Sequence, residues 1–241
     1  MIKNLLRKLL PSSCWGFLRY WRIRILNQSY ASFLDLDRKL EKYISYENGF
    51  FVELGANDGF TQSNTLHLEI YKNWRGVLIE PSPHLFLSCV DFRSRDGNSI
   101  FCNACVPFDF QEKYVDIEYA NLMSVSTNLG SDLEDMNAFI SDTAKPHLRQ
   151  FERDLKFGAA PKTLTSILDA SKAPREIDLL SLDVEGAELE VLKGVDFSAY
   201  SFKYMLIECR DLERMSSFLE PLGYVCIDQF SVHDYLFSKK Q

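Results

Sequence analysis

Four acidic clusters, each at the end of an apolar run, carry the chemistry of this sequence. The first is Glu53-Leu54-Gly55-Ala56-Asn57-Asp58-Gly59. Gly55 and Gly59 permit tight backbone geometry and close approach of a ligand. A pyrophosphate wants bare amides at a helix N-terminus, but here Glu53, Asn57 and Asp58 crowd the turn and the spacing is not G-x-G-x-x-G. Acidic and amide groups suit a ligand with an ammonium and hydroxyls. The second cluster is Gly76-Val77-Leu78-Ile79-Glu80-Pro81, with its acid 27 positions beyond Glu53. Nucleotide-binding α/β folds hold ribose hydroxyls at such a place, and a carboxylate accepts from both hydroxyls of a vicinal diol.

The third cluster, Leu179 to Glu188, runs LLSLDVEGAE and sets Asp183, Glu185 and Glu188 directly after an apolar strand. Helix capping accounts for one acid there, not for three. The fourth, Leu206-Ile207-Glu208-Cys209-Arg210, puts Glu208 beside Asp183 if the two strands are neighbours. Two carboxylates meeting there can hold a hydroxyl, a metal ion or one shared proton. His233, in the last turn of the chain, is the remaining candidate for proton transfer.

The elements that must position these residues are legible as a rhythm. Apolar runs GFFVELG, GVLIEP and SIFCNACV alternate with the helical segments TLHLEIYKN and HLFLSCVDFR. This β-α-β-α-β order predicts a parallel sheet with helices on both faces. KYVDIEYA alternates like one strand of a short hairpin. Residues 121–160 are polar and mixed and hold no clear strand, so an insertion is expected there. The rhythm resumes with KTLTSILDA, IDLLSLDVEG, AELEVLKGV, YMLIECR and LERMSSFLEPLG, and closes on the hairpin YVCIDQF and DYLFSK.

With 241 residues, 46% of them hydrophobic and 25% charged, the chain has a globular composition. No run of apolar residues is long enough to span a membrane. A formal net charge of −7 argues against a nucleic-acid partner. That average hides an asymmetry: residues 1–26 carry six basic residues and no acid, which leaves 21 basic and 34 acidic residues, net −13, elsewhere. Ile2, Leu5, Leu6, Leu9 and Leu10 share one helical face, with Trp15 and Trp21 following. Residues 1–44 are therefore expected to form a basic amphipathic helical segment. It docks on the domain or a partner subunit, touches an anionic membrane surface, or serves as a targeting segment. Residues 45–241 are expected to form the domain proper. Several of the six cysteines lie in apolar runs, and together they suit reduced thiols of a cytoplasmic protein.

ELGANDG, GVLIEP, NACV, LLSLDVEGAELEVLKG and LIECR, in this order and spacing, resemble the FkbM family of S-adenosylmethionine-dependent methyltransferases. The similarity spans roughly residues 45–238, and Ser63-Asn64-Thr65 resembles a subset of that family. It implies an α/β, Rossmann-like class I methyltransferase fold, with a seven-stranded mostly parallel sheet of order 3-2-1-4-5-7-6 and strand seven antiparallel. It implies methyl transfer to an oxygen, often of a sugar or polyketide hydroxyl. By position, Glu53 and the turn through Gly55, Asn57, Asp58 and Gly59 would hold the methionine part of the cofactor. Glu80 and Pro81 would meet the ribose, and Asn103 and Ala104 would border the adenine. Asp183, Glu185 and Glu208 would line the acceptor side, with Asp183 as base or metal ligand and Glu208 or His233 assisting. Whether a divalent metal takes part stays open at this level. Two other classes compete: a nucleotide-dependent oxidoreductase, disfavoured by the absent G-x-G-x-x-G, and a non-catalytic module retaining the pocket, disfavoured by the intact acids.

Overall fold

The computed structural model describes residues 31–94, 97–148 and 153–240, together with Trp21, Ile23 and Ile25. Its centre is a seven-stranded sheet. In chain order the strands are β1 (Phe50–Leu54), β2 (Arg75–Ile79), β3 (Ser99–Phe101), β9 (Glu176–Leu182), β10 (Ser201–Glu208), β11 (Tyr224–Gln229) and β12 (Asp234–Lys239). Across the sheet they run β3-β2-β1-β9-β10-β12-β11. The pairs β1–β2, β2–β3, β1–β9 and β9–β10 are parallel, while β12 lies antiparallel to both β10 and β11. Counted along the chain, this is the order 3-2-1-4-5-7-6 with the last strand inserted antiparallel.

Period-2 alternation makes both sheet faces apolar, as a parallel sheet covered by helices requires. Val52, Leu54, Val77, Ile79, Leu180, Leu182, Met205 and Ile207 pack with helices α4 (Leu164–Ser171), α5 (Glu188–Leu192) and α6 (Leu212–Leu219). On the other face, Phe51, Leu78, Leu179, Leu206 and Leu236 meet α1 (Leu36–Leu40), α2 (Leu66–Lys72) and α3 (Pro83–Arg93). Local chemistry starts these helices. Pro83 sits in the first turn of α3, the Thr163 hydroxyl accepts from Ser166 N, and Asp211 accepts from Arg214 N.

The interval between β3 and β9 departs from the expected pattern in two ways. SIFCNACV is not one strand. It pairs with β2 from Ser99 as far as Phe101 and then turns off the sheet edge. Ala104–Cys105 (β4) instead pairs with Pro161–Lys162 (β8). The expectation that 121–160 holds no strand is also corrected. β6 (Val125–Ser126) and β7 (Leu155–Ala159) flank β5 (Val115–Tyr119) in a three-stranded antiparallel sheet. The pairing of Val115 with Ala159 joins residues 44 positions apart, beyond the reach of any local periodicity. Leu155 faces out on a half-buried edge, so the alternation of β7 is faint.

The basic N-terminal segment lies mostly outside the described residues. Within it, Ile23 is buried beside Leu66, Ile70 and Phe92, and its carbonyl accepts from the Tyr71 hydroxyl. Trp21 and Ile25 are exposed. Leu36, Leu40 and Ile44 pack in the main core, so the packing of the domain begins ahead of residue 45. Among the described residues, no helix is long and apolar enough to cross a membrane. The five described cysteines are free thiols.

Candidate active site

Parallel strands end on one edge, so the residues following β1, β2 and β9 converge. They open onto one cleft, lined by residues from all three strand ends. Its floor is the first turn. Gly55 N and Ala56 N both donate to Ile79 O at 3.1 Å. Gly55 has φ +77, and a Cβ there would stand 2.0 Å from the Asp183 carbonyl oxygen, so only glycine lets the β1 and β9 ends approach. Asn57, also left-handed at φ 47, presents its backbone N to Glu80 Oε2 at 2.9 Å.

Glu80 is buried, and its other oxygen accepts from Ser82 N at 2.8 Å. Burial pushes its carboxyl up to about 7, against the lowering effect of those two amides. The Ser82 hydroxyl meets His84 Nδ1 at 3.0 Å, and His84 Nε2 meets the Tyr119 hydroxyl at 3.0 Å. This chain anchors the β5 sheet beside Glu80. Val115, Ile117, Ser126 and Leu129 of that region form one wall of the cleft, and Ile79, Ala104, Cys105 and Val191 supply further apolar surface.

Asp183 and Glu185 form the acidic wall. Asp183 opens on the cleft, whereas Glu185 is buried with φ 57, left-handed and disfavoured by about 1–2 kcal/mol for a residue with a Cβ. Enclosure by protein, then the Glu208 and Glu185 carboxyls, hold Asp183 well above the usual carboxylate range. Burial and Glu208 do the same to Glu185, opposed by Arg210. Glu188 accepts from Val184 N and Gly186 N, which closes the turn into α5. Burial and then Glu208 push its carboxyl up to about 8. Oxygens of Asp183, Glu188 and Glu208 lie within 4.8 Å of one another, close enough to share a cation.

The structure thus gathers Gly55, Asn57, Glu80, Pro81, Asn103, Ala104, Asp183 and Glu185 around one cleft. Five other expected residues stand elsewhere. Alternation along β1 sends Val52 and Leu54 to one core and Glu53 to the opposite face. There Glu53 accepts from the Ser63 and Thr65 hydroxyls and from Asn64 N, so it organises the 63–65 loop instead of lining the cleft. Asp58 accepts from Phe60 N, Thr61 N and the Thr61 hydroxyl, a turn-closing role. Gly59 gives its carbonyl to buried Arg93 at 2.9 Å. His233 lines a separate shallow cleft with Asp132, Glu134, Arg210, Asp211 and Leu212. Glu208 stays in the acid cluster behind Asp183. Thr61, Gln62, Asn121, Met123 and Ser124 also line the main cleft. Sequence reasoning missed them because they reach it through loops without periodicity.

The Methyltransferase FkbM domain matches residues 53–226 of this chain. Among curated proteins no sequence matches it. Among solved structures, a SAM-dependent methyltransferase from Aquifex aeolicus is 13% identical, with a TM-score of 0.37 over 85% of this chain and 87% of that one. The METTL16 MTase domain is 9% identical at a TM-score of 0.42 (86% and 68%), and the N-terminal domain of human METTL16 is 10% identical at 0.38 (86% and 69%). These likenesses are distant and carry no weight for the site.

Proposed function

Because this chain belongs to the FkbM methyltransferase family, we propose that it methylates a hydroxyl oxygen of a neutral sugar, using S-adenosylmethionine. The observation that supports this reading is the pairing, in one cleft, of a diol-accepting carboxylate with an acidic wall. Glu80 keeps lone pairs for two ribose hydroxyls, the apolar residues Ile79, Ala104 and Cys105 suit adenine, and Asp183 with Glu185 suits a cation. These groups fit the cofactor. Bound there, it would supply an electrophilic methyl carbon with a neutral thioether as the leaving group.

The chain's own residues then hold the acceptor and take its proton. A sugar hydroxyl is a very weak acid, so a base must act during the attack. Asp183 is that base in this reading: it faces the cleft, and its enclosure and acidic neighbours strengthen it as a proton acceptor. The proton passes from the acceptor oxygen to the Asp183 carboxylate, and Glu208, behind it, stabilises the protonated form by sharing that proton. A second reading places a divalent cation on Asp183, Glu188 and Glu208, favoured by the closeness of their oxygens. EDTA separates the two: loss of turnover restored by Mg²⁺ favours the cation, and indifference favours the base.

The donor site is tested at Glu80. Glu80→Ala should weaken S-adenosylmethionine by about 1.5–3 kcal/mol, the worth of hydrogen bonds to a charged acceptor. Calorimetry reads this directly, and unchanged affinity removes Glu80 from the ribose. Hydroxyl donors favour the ionised carboxylate, so affinity should rise as pH passes through about 7. Glu80→Gln should lose that rise.

Residues 1–26 belong to the same proposal, as a reversible contact with the anionic cytoplasmic membrane face where lipid-linked sugars would be met. The six basic side chains are each worth about 1 kcal/mol near such a surface. The full chain should sediment with phosphatidylserine vesicles at low salt and leave them at high salt, while residues 21–241, which keep the buried Ile23, should stay in the supernatant. Equal sedimentation of both chains removes the segment from this role.

A further inference from the structure

The acidic wall is covered by the strap of residues 131–139. Asp132 N donates to Gly186 O at 3.0 Å. Gly186 has φ +103, and a Cβ there would stand 2.6 Å from the Ser131 hydroxyl, so strap and turn are in direct contact. One cation reaches both. Arg210 Nη2 lies 3.3 Å from Glu185 Oε2 and 3.2 Å from Glu208 Oε1, and Nη1 lies 3.7 Å from Asp132 Oδ1. Arg210 N donates to Asp132 Oδ2 at 2.7 Å, and the Phe139 ring stands 5.4 Å from the guanidinium carbon.

We propose that Arg210 is a positioning residue, which fixes the Glu185 carboxylate against the cleft wall and ties it to the 131–139 strap. The proposal rests on the reading of the cleft as the donor site. Two independent features call for such a residue. The first is the backbone of Glu185, which sits in the left-handed region where a side chain is disfavoured. A carboxylate held by Nη2, which also meets Glu208, opposes relaxation of that turn. The second is the surrounding charge. Asp183 and Glu188 stand on the same turn, Glu208 ends β10, and Asp132 and Glu134 come from the strap. Asp211 leads into α6, and His233 and Asp234 belong to the closing hairpin, with Asp234 near Glu208. Arg210 is the cation hydrogen-bonded to both Glu185 and Glu208.

The test uses S-adenosylmethionine and its homocysteine product. Both carry the ribose and the ammonium, so the effect of Glu80 cancels in the ratio of their affinities. The sulfonium charge, present in the first alone, reads the ionised state of the acidic wall. Wild type should prefer S-adenosylmethionine at high pH and lose that preference as the wall protonates. Arg210→Gln removes a cation that lowers the titration of Glu185, so the midpoint of the ratio should move to higher pH. Arg210→Lys keeps the charge and should return most of that shift. A single ammonium cannot reach Glu185, Glu208 and Asp132 together, so amide exchange at 131–139 and 184–187 should still speed up by about tenfold. A merely structural role would weaken both ligands at every pH and leave the midpoint in place.

An Arg210→Gln curve that overlays wild type, with unchanged exchange in both segments, overturns the proposal. If Arg210→Gln does not fold, Arg210→Lys decides: wild-type exchange in both segments overturns it, and faster exchange supports it. Wild type binding neither ligand defeats the donor-site reading and this proposal together. Binding of both ligands with an unmoved midpoint defeats this proposal alone.

Discussion

Asp183→Asn should lower methyl transfer by about 10²–10⁴-fold, the usual contribution of a positioned general base. The amide keeps the shape of the side chain and its place at the cleft but cannot take the acceptor proton. The measurement is the formation of the homocysteine product with a panel of neutral glycosides as acceptors. Donor affinity should change far less than turnover, since Glu80 and the apolar wall are untouched. In wild type the acid limb of turnover should lie well above the ordinary aspartate value of about 3.9. The sign follows from the causes: enclosure and the Glu208 and Glu185 charges all favour the protonated form of Asp183. Turnover should therefore fall as pH drops through that raised range, because the base becomes occupied. An Asp183→Asn variant with near-normal turnover removes Asp183 from the chemistry.

Arg93→Leu should destabilise the fold by about 3–5 kcal/mol, the cost of leaving a buried charge without its partner. Arg93 is fully buried. It donates to Glu69 at 2.5 Å, to the Gly59 carbonyl, and to the Ser63 and Thr65 hydroxyls, and stands 3.7 Å from Glu53. Leucine matches much of the volume but leaves the buried Glu53 and Glu69 carboxylates without their cation, with only the Ser63, Asn64, Thr65 and Asn98 donors. For a chain of this size each kcal/mol is worth about 2–4 °C in Tm, so a fall of roughly 6–20 °C is expected. Glu69→Gln in the same chain should recover part of it, since one stranded charge is then gone. A loss below about 1 kcal/mol would mean that water reaches these carboxylates. The network holds the 59–65 loop that leads from the donor turn into α2, so this variant should also weaken the donor through Thr61 and Gln62.

Glu53 illustrates how a motif can be read correctly while its parts are misassigned. Its position after GFFV marks the end of the first strand, and that placement holds. The partner of its carboxylate is another matter. Strand alternation turns it away from the cleft, towards Ser63, Asn64 and Thr65. The turn needs Gly55 for a reason absent from the local pattern: the Asp183 carbonyl, 128 positions away, occupies the space of a Cβ. Glu80 and Asp183 were legible because each directly follows an apolar strand. In a parallel sheet all such ends meet at one edge.

Composition, the β-α rhythm and the acids at strand ends by themselves determined the sheet, its helical layers and the edge where the chemistry lies. These are properties of local periodicity, set by burial of side chains at spacings of 2 and 3.6 residues. The tertiary structure alone decided three further matters. It pairs Val115–Tyr119 with Leu155–Ala159 to build the second wall of the cleft. It separates the acids that face the cleft from Glu53 and Asp58, which serve loops. It brings Asp132 and Phe139 over Arg210, so that one guanidinium joins strap, turn and strand. Each depends on contacts between residues tens of positions apart. Such contacts form because the closed chain leaves buried charges and unpaired strand edges no other partner, and no local pattern encodes that choice.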